Sequence, residues 1–315
     1  MVPNLKAAKI LFICSGNKSQ GISPIVYNQG ESLRNLGMNV EYFPIRGKGI
    51  RRYAAHYFPL RKKIRKGNYF ALHAHYSYCG MLTALAAPAH RNIIVSLMGS
   101  FYKGTIKYYL IHFFSRYLWK AVIVKSENMK NQIRLQQANL IPNGVQTDVF
   151  ENLPDREIVR ERLGFEPDKK YVIFVSDPER PEKNYSLCQQ AVAILNDPQV
   201  VLYPVFNIQP EEIPPYQLAA DVLMLTSFHE GSPNVIKEGL AAGCPIVTTD
   251  VGDAHYNIGD TSGCYVMKGF EAEAAADCLR KALDFGGRTN GPDRVLELGI
   301  DADTVGRKII NLYHG

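Results

Sequence analysis

Eleven short runs of apolar and β-branched residues recur along the chain, separated by longer mixed segments. In the first half they are KILFICS (9–15), NVEYFPI (39–45), YFALHAHY (69–76), NIIVSLMG (92–99), KAVIVKS (120–126) and ANLIP (138–142). In the second half they are KYVIFVS (170–176), VVLYPVF (200–206), DVLMLTS (221–227), PIVTTDV (245–251) and GCYVM (263–267). Most are continuously apolar rather than alternating, as expected of parallel strands covered by helices on both faces. The predicted fold class is α/β, as two doubly wound Rossmann-like domains. A chain of 315 residues is also longer than one core usually organises. Pro, Asn, Gly and Asp cluster in PNGVQTDVFENLPDRE (142–157), which puts the boundary near 155: residues 1–155 form one domain and 156–315 the other. Ligands of such sheets bind beyond the carboxyl ends of the strands, so the crevice facing both domains is the expected active site.

Composition narrows the class. Hydrophobic residues make up 46% and charged residues 21%, ordinary globular values. The most apolar stretch, YYLIHFFSRYLWKAVIV (108–124), is interrupted by His112, Arg116 and Lys120, so no membrane span is expected. The N-terminal residues MVPNLKAAKILFICSG lack a signal-peptide pattern. The six cysteines contain no C-x-x-C pair, which argues against a disulfide framework and a zinc site and for a reducing, cytoplasmic setting. Residues 46–66 carry nine lysines and arginines and no acid. Such a run is often only a solvated surface, but it also suits an anionic membrane face or a lipid-linked acceptor. No nucleic-acid motif accompanies it.

Chemistry is concentrated in HEGSPNVIKEGLAAGCPIVTTDVGD (229–253), which follows a predicted strand. Ser232 reads as the N-cap and Pro233 as the first turn of a helix whose exposed Asn234 and Val235 amides would bind a diphosphate. Glu238, farther along that helix, can accept from paired ribose hydroxyls, and Glu230, before it, can reach a sugar. The plain alternative is a capped helix with two solvated carboxylates, which Gly231, Ser232 and Pro233 make less attractive. In SDPERPEKNYSL (176–187), Arg180 and Lys183 can neutralise a diphosphate, or can form an exposed ion-pair cluster with Glu179 and Glu182. The loop ICSGNKSQGISP (13–24) fits neither a dinucleotide fingerprint nor a P-loop, though Gly21 would let backbone approach a ligand. His73 and His75 share one strand face, without further ligands for a metal, and His75 at the strand end could donate a hydrogen bond in the crevice.

Together SDPERPEKNY, PPYQLAADVLMLTSFHEGSPNVIKEGLAAGCPIVTTDVGD, IPNGVQTDVF, HAHYSYCG and VSLMGS resemble the signature segments of the family 4 glycosyltransferases. That resemblance implies the two-domain GT-B fold, with a last helix (about 297–315) packing back on the N-terminal, acceptor-binding domain. It implies a retaining, metal-independent hexosyltransferase that uses a nucleotide diphosphate sugar, with no cofactor, in cell-surface polysaccharide or glycolipid assembly. Its acceptor would be a carbohydrate or a lipid-linked molecule. Glu230 would sit near the donor sugar, Glu238 would hold the ribose, Arg180 and Lys183 would neutralise the diphosphate, and His75 would contact the sugar or stabilise charge near the reacting carbon. Gly21 would face the donor phosphates or the acceptor. Many members carry arginine where this chain has Pro178, so Arg180 is expected to take that role; many carry histidine where it has Met98. Two rival readings keep the fold: a GT-B sugar-nucleotide epimerase, and a non-catalytic sugar-nucleotide-binding subunit.

Overall fold

A computed structural model describes residues 8–16, 21–90, 92–99 and 103–315. Each predicted apolar run contains a strand: β1 Lys9–Ser15, β2 Asn39–Ile45, β3 Ala71–His75, β4 Ile93–Ser96, β5 Ala121–Val124, β6 Asn139–Leu140, β7 Lys170–Phe174, β8 Val200–Pro204, β9 Val222–Leu225, β10 Ile246–Thr249 and β11 Cys264–Met267. Several are shorter than their apolar runs, because the last residues of a run continue into the loop that leaves the sheet.

The chain divides into two compact units, residues 1–144 with 302–315, and residues 145–301. The first holds a parallel six-stranded sheet in the order β2-β1-β3-β4-β5-β6. Alternate strand residues supply opposite cores. Leu11, Ile13, Leu72, Val95 and Val124 pack with residues from the helices Arg51–Gly67, Ser77–Ala86 and Ile106–Tyr117. Ile10, Phe12, Ile94 and Ile123 pack with the helices Pro24–Asn35 and Ala302–His314. Gly299 ends the preceding helix, Gly291–Leu298, in the left-handed region at φ 57°, so the closing helix starts at Ala302 rather than near 297.

The second unit is a parallel five-stranded sheet, β11-β10-β9-β7-β8. Val172, Phe174, Met224 and Val247 face the helices Tyr185–Leu195 and Ala272–Phe285. Ile173, Leu223, Leu225 and Ile246 face the helices Asn234–Ala241 and Gly291–Leu298. The helices after β7 and β9 therefore lie on opposite faces of two adjacent strands. Such a reversal opens a crevice at the carboxyl ends of those strands.

Candidate active site

The loops leaving β7 and β9 are knit together at this reversal. The Phe228 amide donates to the Glu182 carbonyl at 3.0 Å, and the Thr226 hydroxyl, buried under the loop, lies 3.1 and 2.9 Å from the carbonyls of Lys183 and Asn184. A short 3₁₀ turn, Pro181–Lys183, then hands over to the helix Tyr185–Leu195 through Asn184, which takes the left-handed conformation at φ 52°. Asparagine tolerates that region better than most residues. This backbone brings Lys183 to Glu230: Nζ lies 2.5 Å from Oε1, with the side chains 17% and 18% exposed. Ser227 donates to the same Oε1 at 2.9 Å. Glu230 Oε2 and the remaining Lys183 protons have no partner among the described residues, which leaves donors and an acceptor for a ligand.

Arg180 lies elsewhere. Its Nε and Nη2 donate to Glu182 at 3.0 and 2.6 Å, and both side chains are about half exposed. The guanidinium holds Glu182 below its usual carboxylate range. This is the exposed ion pair that the sequence left open as the plain alternative; such pairs stabilise little, so an incoming phosphate could displace Glu182 at small cost.

The helix after β9 begins at Asn234, with Pro233 at its cap and no side-chain cap bond. This corrects Ser232 as the N-cap. Ser232 instead accepts from Lys237 Nζ at 2.6 Å. Lys237 occupies an inward position with Ile236 and Leu240 and is only 1% exposed. Burial lowers its pKa, and Asp253 and Glu238 oppose that shift. Burial likewise raises Asp253, against the charge of Lys237 and a hydrogen bond from Ser232. Gly252 permits this closeness: a Cβ there would stand 2.8 Å from the Gly231 carbonyl oxygen, and its φ of 61° disfavours other residues. Lys237 and Asp253 were not among the sequence candidates. Their signal was a lysine on the core-facing stripe of the helix, where a charge implies a buried partner.

Glu238 lies partly buried one turn along, and Gln217, fully buried on the helix Ile213–Ala219, donates to its Oε2 at 3.2 Å. Burial raises its pKa, while Gln217 and Lys237 lower it. Gln217 Oε1 is buried without a partner among the described residues. Gly231 is exposed beside open space; Pro233 is buried; Asn234 and Val235, in the first helical turn, are partly buried. Lys183, Glu230, Ser232, Asn234 and Glu238 thus cluster on the loops and helix after β7 and β9.

Two candidates belong to the first unit. Gly21 has φ 90° and nothing within 4 Å of a built Cβ; residues 17–20 of its loop lie outside the described residues. His75 ends β3 as expected, and its ring stacks on His73 at 4.5 Å, as a strand period of two requires. It is fully buried, however, and neither ring nitrogen has a partner among the described residues. In this structure it is part of the core rather than a donor presented to a ligand; burial, then the neighbouring His73 and Lys125, hold its pKa well below the ordinary value. His73 is bonded to the Tyr313 hydroxyl at 2.7 Å and to Ser96 at 2.8 Å. Among the described residues no three His, Cys, Asp or Glu side chains form a metal-binding group.

Both units match known families. Residues 166–284 match the family model "Glycosyl transferases group 1", and residues 20–149 match "Glycosyltransferase Family 4". TuaC of Bacillus subtilis (strain 168), named for teichuronic acid biosynthesis, is 25% identical over 235 residues, covering 67% of this chain and 60% of TuaC. The lipopolysaccharide glucosyltransferase WaaG of Escherichia coli (strain K12) is 30% identical over 158 residues, covering 49% of this chain and 39% of WaaG. The matches thus span 60% and 39% of the lengths of these two relatives. HepE of Anabaena, solved with UDP and glucose, has a TM-score of 0.74 at 17% identity, covering 96% of this chain and 98% of that one. The two parallel-sheet units and these likenesses identify the GT-B fold, and the family matches support a glycosyltransferase of the family 4 type.

Proposed function

We propose that this protein transfers a hexose from a nucleotide diphosphate sugar to a hydroxyl acceptor, with retention at the anomeric carbon and without a metal ion, in the assembly of a cell-surface polysaccharide or glycolipid. The observation that carries this reading is the Lys183–Glu230 pair, 2.5 Å apart, at the strand reversal and next to the N-terminus of the helix Asn234–Ala241. Strand reversals bind nucleotides, and helix N-termini bind anions. The relatives named for teichuronic acid and lipopolysaccharide, and the neighbour solved with UDP, support the same direction.

The bond between the anomeric carbon and the diphosphate oxygen breaks as negative charge gathers on the leaving group. Lys183, the amides of Asn234 and Val235 and, after release from Glu182, Arg180 stabilise that charge. Glu230 orients Lys183 and accepts from a sugar hydroxyl. Glu238, held from behind by the buried Gln217 amide, faces the ribose hydroxyls, and Gly231 and Pro233 shape the backbone at the phosphates. The acceptor oxygen bonds to the carbon on the face the diphosphate leaves, and its proton passes to a departing phosphate oxygen. Gly21 is assigned to the phosphates or the acceptor. Residues 46–66 are assigned to an anionic membrane face, with the protein peripheral on its cytoplasmic side.

The test is a radiolabelled-sugar transfer assay over a panel of nucleotide sugars, in EDTA, against lipid and carbohydrate acceptor extracts. Labelled product from wild type and none from Lys183→Ala or Glu230→Ala supports the reading. A free epimerised sugar nucleotide as the sole product, or a strict need for a divalent ion, contradicts it.

A further inference from the structure

We infer that the outer face of the helix Ile106–Tyr117 seats this protein on an anionic lipid bilayer, lying in the headgroup layer alongside the basic helix Arg51–Gly67. This deepens the membrane assignment of residues 46–66 and is independent of the transfer chemistry.

The helix is apolar on both sides. Tyr108, Ile111 and Phe114 face the core. On the opposite side Ile106 is 80% exposed, Tyr109 60%, Phe113 53% and Tyr117 65%, with Leu110 at 37%. Positions 106, 109, 110, 113 and 117 recur at helical spacing, so they form one stripe. A surface helix normally carries polar residues there, and a contiguous apolar stripe marks an interaction site.

Charge selects the occupant. From Tyr42 to Ser126 the sequence has fifteen lysines and arginines and no aspartate or glutamate. Lys103, Lys107 and Arg116 flank or cap the stripe, where long cationic side chains reach headgroups while aromatic rings sit at their level. The helices Arg51–Gly67, Ser77–Ala86 and Ile106–Tyr117 cover the same face of the sheet. Their outward surface adds Phe58, 75% exposed, and Leu85, 56% exposed, to exposed Lys62, Arg65 and Lys66. Two copies pairing through this face would oppose like charges. A nucleic acid would use the charge but would leave Ile106 and Phe113 in water. An anionic bilayer satisfies both the charge and the stripe. At 12 residues the helix is about 18 Å long, too short to span a bilayer and suited to lie in its surface.

The experiment is co-sedimentation with vesicles of phosphatidylcholine alone or mixed with phosphatidylglycerol, using wild type, Ile106→Ser/Phe113→Ser and Arg65→Gln/Lys66→Gln. Circular dichroism and melting temperature confirm folding. Wild type is expected to pellet with the mixed vesicles only. The stripe variant is expected to bind about tenfold more weakly or worse, for loss of two interfacial apolar side chains. In a folded Phe113→Trp variant, emission is expected to shift to the blue with mixed vesicles, relative to wild type with its single tryptophan, Trp119. A stripe variant that binds like wild type, or an unchanged Phe113→Trp spectrum, overturns the proposal. If only Arg65→Gln/Lys66→Gln then loses binding, the assignment of residues 46–66 stands alone. A wild-type dimer in light scattering that the stripe variant dissociates also overturns it, as does wild-type binding to RNA in place of vesicles.

Discussion

At the scale of the residue, the site is a set of buried or half-buried charges whose protonation is tied to folding. Burial pushes the Glu238 carboxyl up from its ordinary 4.5. The folded chain therefore keeps that proton to higher pH than the unfolded chain, and ionised Glu238 weakens folding as pH rises past the ordinary value. Glu238→Gln is expected to melt no lower than wild type near pH 7, with the difference shrinking toward about pH 4. Its nucleotide affinity is expected to fall by about tenfold or more, for loss of a charged acceptor. Calorimetric melts across pH and nucleotide titrations check both. Lys237→Met removes the charge that offsets buried Asp253 and the tether on Ser232. It is expected to destabilise by about 2–4 kcal/mol near neutral pH, less as Asp253 protonates, and to raise KM for the donor more than it lowers kcat.

Lys183, Glu230, Ser232 and Glu238 were legible as candidates because they sit on loops and a helix just after predicted strands, where α/β ligand sites form. Asp253 and Gln217 were not, because their partners Lys237 and Glu238 are distant in sequence and only packing joins them; Lys237 showed only as a lysine on the core-facing stripe of its helix. Arg180 was legible as a charge, but its turn toward Glu182 depends on a choice between two nearby acids that spacing does not decide. The burial of His75 was equally hidden, since a strand-end position does not say what covers it.

At the scale of the element, the loops after β7, β9 and β10 act as one unit, and Gly252 is where two of them meet. Gly252→Ala is expected to force the 230–231 and 251–253 backbones apart, lowering the melting temperature and diminishing stabilisation by bound donor; a donor-dependent thermal-shift series measures both. In the other unit, β3 is tied to the closing helix through His73 and Tyr313. Tyr313→Phe leaves a buried ring nitrogen without its partner, and urea unfolding is expected to show a loss of about 1–3 kcal/mol. His73 is held neutral, its pKa down to about 3 from 6.5. Its contribution to stability is thus complete above 6.5 and declines as pH falls below it, since the unfolded chain takes up the proton first. All eleven strands could be read from the sequence because buried parallel strands demand continuous apolar runs. The start of the helix at Asn234 could not, because Ser232 is drawn away by a lysine on the helix that follows it.

At the scale of the whole molecule, each unit presents a parallel sheet whose strand order reverses, and each matches a glycosyltransferase domain. The basic residues of 42–126 lie in the first unit, while the diphosphate site proposed above lies in the second. Salt should therefore weaken vesicle binding more steeply than it weakens donor binding, a comparison that sedimentation and titration at matched ionic strengths can make.

The most direct test of the donor site is isothermal titration of a nucleotide diphosphate sugar panel, beginning with UDP-glucose, into wild type, Lys183→Ala and Glu238→Gln, with EDTA present throughout. At least one donor is expected to bind wild type without added metal, and to lose about tenfold or more of its affinity in each folded variant. Binding of no donor in the panel, or equal affinity in all three proteins, would contradict the account.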